Sequence, residues 1–455
     1  MLVSKPALFP ASMLVIFLSC SSGSEEKTTE RTVVPRAPAI SLREDLAGWP
    51  SDGSPVLNAA RVVFRTGDTA SGHRFFSLHW GDRTIDELPG LTAAEAKALL
   101  QCKVSAGGVV AFELRSPEGI LFVRDADTTI QVKAPFYEAK LSKVGSETGP
   151  VFSEKRTFPP FEVSPDGRRV LAYATRDFAF SDSSYGTVHT EFLLASLNVG
   201  EHEFQPAVRE TVTTERYFVD VSFQRFFLGW DPDDPEVSLF SDYDSGQLYG
   251  TSKNLWRFHA GHRDFTLLSG DVEEMLDMSG GVELVLYTNN DRTCCSGTNY
   301  TDNLLILRNL REGWERILFH EWNLFGNADK AEEHVPTNGM ISPDARLVAS
   351  TISDFKNWNA TSSDPEPLPE GVKDSLTGGY HVWVVGIDGN DSRVFGDLFA
   401  RGWLDNRTLL ASPITEIWRN RRWHTNEGEL VVLDVSSGAR MPLLKESGTF
   451  IAIQR

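Results

Sequence analysis

The chain is poor in the patterns by which catalytic and cofactor sites usually announce themselves. It has four cysteines in 455 residues, and no two stand in C-x-x-C spacing, which excludes a zinc ribbon and a thioredoxin-like redox site. No G-x-S-x-G elbow occurs, so no α/β-hydrolase nucleophile is encoded. Neither G-x-G-x-x-G nor G-x-x-x-x-G-K-[S/T] is present, which argues against dinucleotide or P-loop nucleotide binding. No apolar run approaches the roughly 20 residues that a bilayer-spanning helix needs. Basic residues are outnumbered, 44 Lys and Arg against 63 Asp and Glu, for a net charge of −19. Such a balance opposes nucleic acid and anionic bilayer surfaces, both of which select basic patches. Two fragments imitate metal motifs and fall short. His320-Glu321 begins like H-E-x-x-H but has Leu324 where the second histidine belongs, and His259 and His262 share a face only on a helix. No metal and no cofactor is expected.

What is present begins at the N-terminus. One positive charge at Lys5 precedes an apolar stretch from Ala7 to Leu18, then Ser19-Cys20 and a polar run from Ser21 to about Pro50. A charged start, a short apolar core and a small residue at the cut describe a secretory signal over residues 1–19. Phe17-Leu18-Ser19-Cys20 resembles the bacterial lipobox, which implies a lipid on Cys20 as first mature residue. Residues 20–50 then read as a flexible tether, because their Ser, Glu, Thr and Pro content buries too little apolar surface to offset the entropy of ordering. Ser21 after the lipidated cysteine resembles the outer-membrane retention signal. The expected location is therefore the cell envelope, with the protein anchored in the outer membrane and facing the periplasm or the surface.

The remainder, 51–455, reads as all-β and repetitive. Phe161-Glu-Val-Ser-Pro-Asp-Gly-Arg168 and Gly339-Met-Ile-Ser-Pro-Asp-Ala-Arg346 each place a short apolar strand before Ser-Pro-Asp-(Gly/Ala) and another strand after it. Proline presets φ, Asp bonds the neighbouring backbone and Gly accepts positive φ, which is the chemistry of a tight turn. Asp405-Asn406 takes the turn in a degenerate third copy, and Ser116-Pro-Glu-Gly119 reads as a fourth. Hairpins follow around Asp388-Gly389 and Ser437-Gly438. The recurring segments have the spacing of propeller blades. The Ser-Pro-Asp-Gly-Arg strand followed by His381-Val-Trp-Val-Val-Gly-Ile-Asp-Gly389 resembles the TolB-type propeller repeat, which also appears in the propeller domains of prolyl-oligopeptidase-type enzymes. The expectation is a β-propeller of seven blades, with six as the alternative. Thr92-Ala-Ala-Glu95 is a capping box that opens a helix from Ala93 to about Gln101, between the first two blades. The terminal Phe450–Gln454 strand completes the first blade.

Ligand candidates are few. Trp418-Arg-Asn-Arg421-Arg422-Trp423-His424 concentrates stacking faces and guanidinium forks in an acidic chain. Read as one strand it sets Trp418, Asn420 and Arg422 on one side and Arg419, Arg421 and Trp423 on the other, stacking faces and guanidinium forks suited to a sugar ring bearing a carboxylate or phosphate. Read as a hairpin, its tryptophans pack between blades. Phe355-Lys-Asn-Trp-Asn359 carries the same two readings. The acidic run Asp231-Pro-Asp-Asp-Pro-Glu236 offers oxygen ligands in the manner of a calcium loop, or is a solvated turn. Cys294 and Cys295, adjacent in a polar loop, are read as a loop staple, joined to each other or bridged to Cys102.

No catalytic residue is assigned. The expected function is that of a non-enzymatic envelope lipoprotein whose propeller binds a protein or glycan partner. The alternative is a propeller lyase or hydrolase acting on an acidic glycan, with His424, Arg421, Arg422 and His381 gathered at one channel mouth.

Overall fold

The Ser-Pro-Asp turns show how the sequence closes its first hairpins. Ser164 Oγ donates to Asp166 Oδ1 at 2.6 Å and accepts from the Arg169 amide at 3.0 Å, while Asp166 Oδ1 accepts from the Arg168 amide at 3.0 Å. Gly167 holds φ +72° and donates to the Ser164 carbonyl. The second copy repeats these bonds around Ser342 and Asp344 with Ala345 at φ +55°. In the third, Asp405 Oδ1 accepts from the Arg407 and Thr408 amides at 2.8 and 2.6 Å. Each side chain does locally what a further strand residue could not, reversing the chain while satisfying its amides.

The structure is a computed structural model. It describes residues 40–49, 60–115, 119–136, 141–142, 151–152, 159–180, 185–217, 224–231, 234–243, 253–260, 264–270, 274–279, 284–290, 303–320, 333–355, 377–419, 422–445 and 448–454. The expected lipid attachment at Cys20, the signal and most of the tether lie outside these residues, as do Arg421, Cys294 and Cys295. No helix among the described residues is long and apolar enough to cross a membrane.

Seven sheets follow one another along the chain. The first contains β1 (Arg61–Thr66), β2 (His73–His79) and β3 (Thr84–Leu91). After helix α1 (Ala93–Ala98) come β4 (Leu99–Val104), β5 (Val110–Leu114), β6 (Ile120–Arg124) and β7 (Thr129–Lys133). A small pair, β8 (Leu141–Ser142) and β9 (Val151–Phe152), precedes β10 (Phe161–Val163), β11 (Arg169–Phe180), β12 (Tyr185–Asn198) and β13 (Gln205–Tyr217). The fourth sheet is β14 (Gln224–Trp230), β15 (Val237–Tyr243), β16 (Lys253–His259) and β17 (Asp264–Ser269). The fifth is β18 (Glu274–Ser279), β19 (Leu284–Asn290), β20 (Asn303–Asn309) and β21 (Glu315–His320). The sixth holds β22 (Glu333–Ile341), β23 (Leu347–Phe355), β24 (Thr377–Gly386) and β25 (Arg393–Gly396). The seventh holds β26 (Phe399–Trp403), β27 (Thr408–Ser412), β30 (Val431–Asp434) and β31 (Arg440–Pro442), interrupted by β28 (Ile414–Arg419) and β29 (Arg422–Glu427). Finally β32 (Thr449–Gln454) pairs antiparallel with β1, so the first sheet runs β3-β2-β1-β32.

The fold is a seven-bladed β-propeller. Seven apolar clusters fill the seams between successive blades. Val62, Phe64 and Leu78 meet Leu404 and Val432 across the closing seam, and Val63 and Phe75 meet Val110 and Phe112 across the next. Residues alternate sides along every strand, so one strand feeds two seams.

Three expectations need correction. The helix stops at Ala98, because Leu99 turns extended and pairs with Leu114 as the first residue of β4. The fourth Ser-Pro turn lies in the β5–β6 connection, a different hairpin from its supposed counterparts. Blade 2 makes the equivalent turn with Ser105-Ala-Gly-Gly108, where Ser105 donates its amide to the Val109 carbonyl and Gly108 sits at φ +92°. The last stretch of the expected tether is packed on the ring. Ile40, Leu46 and Trp49 are buried, Leu42 bridges to Leu444, and Trp49 Nε1 donates to Thr408 Oγ1 at 3.3 Å. Its three large apolar side chains give that stretch the burial which the preceding polar run lacks.

Candidate functional site

Strand polarity sorts the connections onto two faces. On one face lie the turns from inner to second strand and from third to outer strand, such as 105–109, 164–168, 342–346 and 435–439, all short. On the opposite face lie the links from second to third strand and from one blade to the next. The described strand ends that bound the intervals 134–160, 291–302, 321–332 and 356–376 are on this face, as is the β28–β29 excursion. Length is therefore concentrated on one side, here termed the loop face. Loops carry binding function where a rigid scaffold positions them.

The aromatic and basic run falls on this face and is a hairpin, not a single strand. Trp418 pairs with Trp423, Arg419 with Arg422 and Ile417 with His424. The hairpin leaves blade 7 and pairs with blade 6, through Thr377 with Ile417 and Gly378 with Glu416. His381, partly exposed on β24, pairs with Ile352 and Gly396. Thr377 and His424 lie in one row across the sheet, and His381 is four residues further along β24. Strand geometry then separates the two histidine backbones by about 13 Å along the strands and about 10 Å across them, roughly 16 Å in all. Arg422 lies further from His381 still. The candidate acid–base set is thus placed on one face but not within the reach that proton transfer demands.

The inner strands of all seven blades surround a central cavity of about 710 Å³. No short pattern marks its lining, because each blade contributes only one to four residues and these are spread over the whole ring. Lys103 Nζ meets Glu162 Oε1 at 2.6 Å, and burial pushes the Glu162 carboxyl above its ordinary value despite that lysine. Asp277 Oδ2 accepts from the Ile341 amide at 2.6 Å. Asn338 donates to the Ala400 carbonyl and accepts from the Thr351 amide. Arg401 Nε donates to Ser412 Oγ at 2.9 Å, and its guanidinium lies 4.7 Å from the Phe399 ring centre. Most of these bonds tie blade to blade, and the two carboxylates, Glu162 and Asp277, occupy one side of the wall while Lys103 and Arg401 occupy the other. Such a wall can orient a polar, weakly charged ligand by exchanging bonds already made.

The acidic run forms the inner turn of blade 4. The Asp231 amide donates to the Val237 carbonyl, and Glu236 takes Arg169 Nη2 with both oxygens, at 2.8 and 2.7 Å. Asp234 and Glu236 serve the turn and the seam to blade 3, and Asp231 is buried. Among the described residues no group of three His, Cys, Asp or Glu could hold a metal ion. Cys102 is a free thiol beside the cavity, and burial pushes its pKa up to about 12.

No protein-family model matches the chain, and no curated protein matches it. Solved structures do align. The β-propeller domain of the Trilobed protease from Pyrococcus furiosus aligns at 11% identity and a TM-score of 0.39, covering 84% of this chain and 93% of that one. Oligopeptidase B from Leishmania major aligns at 8% identity and 0.42, covering 84% of this chain and 48% of that one. Oligogalacturonate lyase from Vibrio parahaemolyticus aligns at 11% identity and 0.31, covering 70% and 95%. All are similar to this chain at a level that carries nothing about its activity.

Proposed function

We propose that the protein is a non-enzymatic binding propeller of the cell envelope, lipid-anchored through Cys20, that presents its loop face to a protein or glycan partner. The observation that carries the binding role is the asymmetry of the ring, with its long connections and the β28–β29 hairpin on one face and tight turns on the other. Anchorage rests on the sequence alone. Two measurements test the reading. Cys20→Ala should abolish incorporation of labelled fatty acid and release the protein from membranes; retention in the membrane fraction overturns the anchor. A photo-crosslinking amino acid at position 423, on the loop face, should capture a partner in intact cells, while the same group at 346, on the turn face, should not. Capture from 346 alone overturns the assignment of the binding face. The lyase alternative predicts an unsaturated product from acidic oligosaccharides, and the separation of His381 from His424 counts against it.

A further inference from the structure

At the loop-face end of the seam between blades 1 and 2, two nitrogen atoms are buried without a hydrogen-bond partner: Arg65 Nε and His73 Nδ1. The strand register brings them together. Arg65 pairs with Phe75, and His73 lies two residues from Phe75 on the same side of β2. Phe75 belongs to the apolar cluster of this seam, against which Cys102 of β4 packs. His73 is only 6% exposed, and its ring also bonds the Gly67 carbonyl in the connection above. Arg65 is partly exposed, so its guanidinium reaches outward from the seam.

Nε of Arg225 and of Arg257 is likewise buried without a partner, but Arg225 takes two carboxylates through its other nitrogens and Arg65 takes none among the described residues. Arg74, Arg124, Arg225 and Arg407 each take a carboxylate, in a protein with 63 acidic residues against 44 basic ones. Arg65 has no carboxylate beside it among the described residues. A half-buried guanidinium left in that state lacks both a counter-charge and an acceptor for its buried Nε–H, and both omissions are costly. One small oxyanion repairs both.

We propose that Arg65 and His73 form a binding site for a small oxyanion, a carboxylate or a phosphate group, entering from the loop face. The guanidinium donates to the oxyanion, and His73 joins by taking a proton from solvent onto Nδ1. The ionisable groups facing His73 are Arg65 on β1 and Asp68 in the connection above, and across the seam Cys102 faces Arg65. Burial and Arg65 hold the imidazole below its usual pKa. A bound anion reverses the second influence, so binding strengthens as pH falls. The site is independent of the envelope reading and of the hairpin.

The test is thermal unfolding at fixed ionic strength, with acetate or inorganic phosphate replacing chloride. Wild type should show a saturable rise in melting temperature, larger at about pH 5.5 than at about pH 8, on either side of the histidine range. Arg65→Met should melt no lower than wild type in chloride and lose the rise. His73→Gln should keep part of the rise and lose its pH dependence. A response to acetate alone assigns carboxylates, one to phosphate alone assigns phosphate esters, and one to both assigns oxyanions in general. No saturable rise in wild type, or an equal rise in Arg65→Met, overturns the proposal. So does an Arg65→Met that melts markedly lower in chloride, which would make Arg65 a structural residue.

Discussion

Gly107 stands where two blades touch, and its replacement by alanine isolates one physical effect. A Cβ built there would lie 2.2 Å from the Asp166 carbonyl oxygen and 2.3 Å from its carbon, both backbone atoms. To restore a contact of roughly 3.5 Å the two turns must separate by about 1 Å. That movement disrupts two bonds to the Pro165 carbonyl, from the Gly107 amide at 3.0 Å and from Ser105 Oγ at 2.7 Å. Each is worth about 0.5–1.5 kcal/mol, and overpacking adds about 1–3 kcal/mol. Restricting the unfolded chain returns about 0.4–1 kcal/mol. The net loss is then about 1–5.5 kcal/mol, centred on about 3 kcal/mol, by these ranges. Gly108 is the control. It sits at φ +92° with nothing within 4 Å, so Gly108→Ala costs only the left-handed conformation, about 1–2 kcal/mol. Urea unfolding followed by tryptophan fluorescence should place the Gly107→Ala midpoint well below that of Gly108→Ala. The opposite order would refute the argument, since backbone conformation rather than blade contact would then be the controlling constraint.

Other expectations follow from the same reasoning. Asp434 has its carboxyl held far below the usual range by Arg407, helped by the Ser437 and Ser436 hydroxyls. A depressed folded pKa stabilises above the unfolded value and is lost as pH falls, so Asp434→Asn should destabilise at pH 7 by a margin that narrows below about pH 4; a constant margin in urea titrations refutes the charge argument. Labelling of Cys102 by a thiol reagent, taken as the difference between wild type and Cys102→Ser, should keep rising with pH beyond about 9.5 rather than levelling near the ordinary thiol value of about 8.5. A plateau near pH 9 would show the thiolate to be unhindered. Gly167→Val should lower the melting temperature more than Asp166→Ala, because it forces a β-branched residue to φ +72° and sets a Cβ 3.1 Å from Val109 Cγ2; the reverse order would make the carboxylate the turn's main support.

Features encoded within a few neighbouring residues were legible in the sequence. The Ser-Pro-Asp turns, the capping box at Thr92 and the hairpins at Gly389 and Gly438 depend on side chains bonding their own neighbourhood, and all are in place. From these the blade spacing follows, and with it the count of seven and the return of the last strand to blade 1. What escaped was non-local. The blade 2 turn has no Pro or Asp because its Ser105 hydroxyl serves the Pro165 carbonyl of the next blade. The Trp418–His424 run can be read as one strand or as a hairpin, and the docking of that hairpin on β24 depends on residues 377 and 378, far away in sequence. The same holds for the cavity wall and for Arg65 with His73, which no short pattern joins.

Closure by β32 has a consequence for the order in which the molecule can be finished. Blade 1 begins with Arg61, yet its inner strand is Thr449–Gln454. Until those last residues leave the ribosome, β1 has an open edge at the centre of an unclosed ring, and the seam between blades 7 and 1 lacks one wall. The entropy of joining such distant segments grows only slowly with their separation, so the difficulty is one of timing. An exposed strand edge is a template for pairing with another chain. Here it stays unprotected from the making of residue 66 until residue 449 has been added. Chains that stop short of residue 449 should accumulate as aggregates rather than as six-bladed rings, and a protease that removes residues 449–454 would turn a closed ring into one with an exposed strand edge.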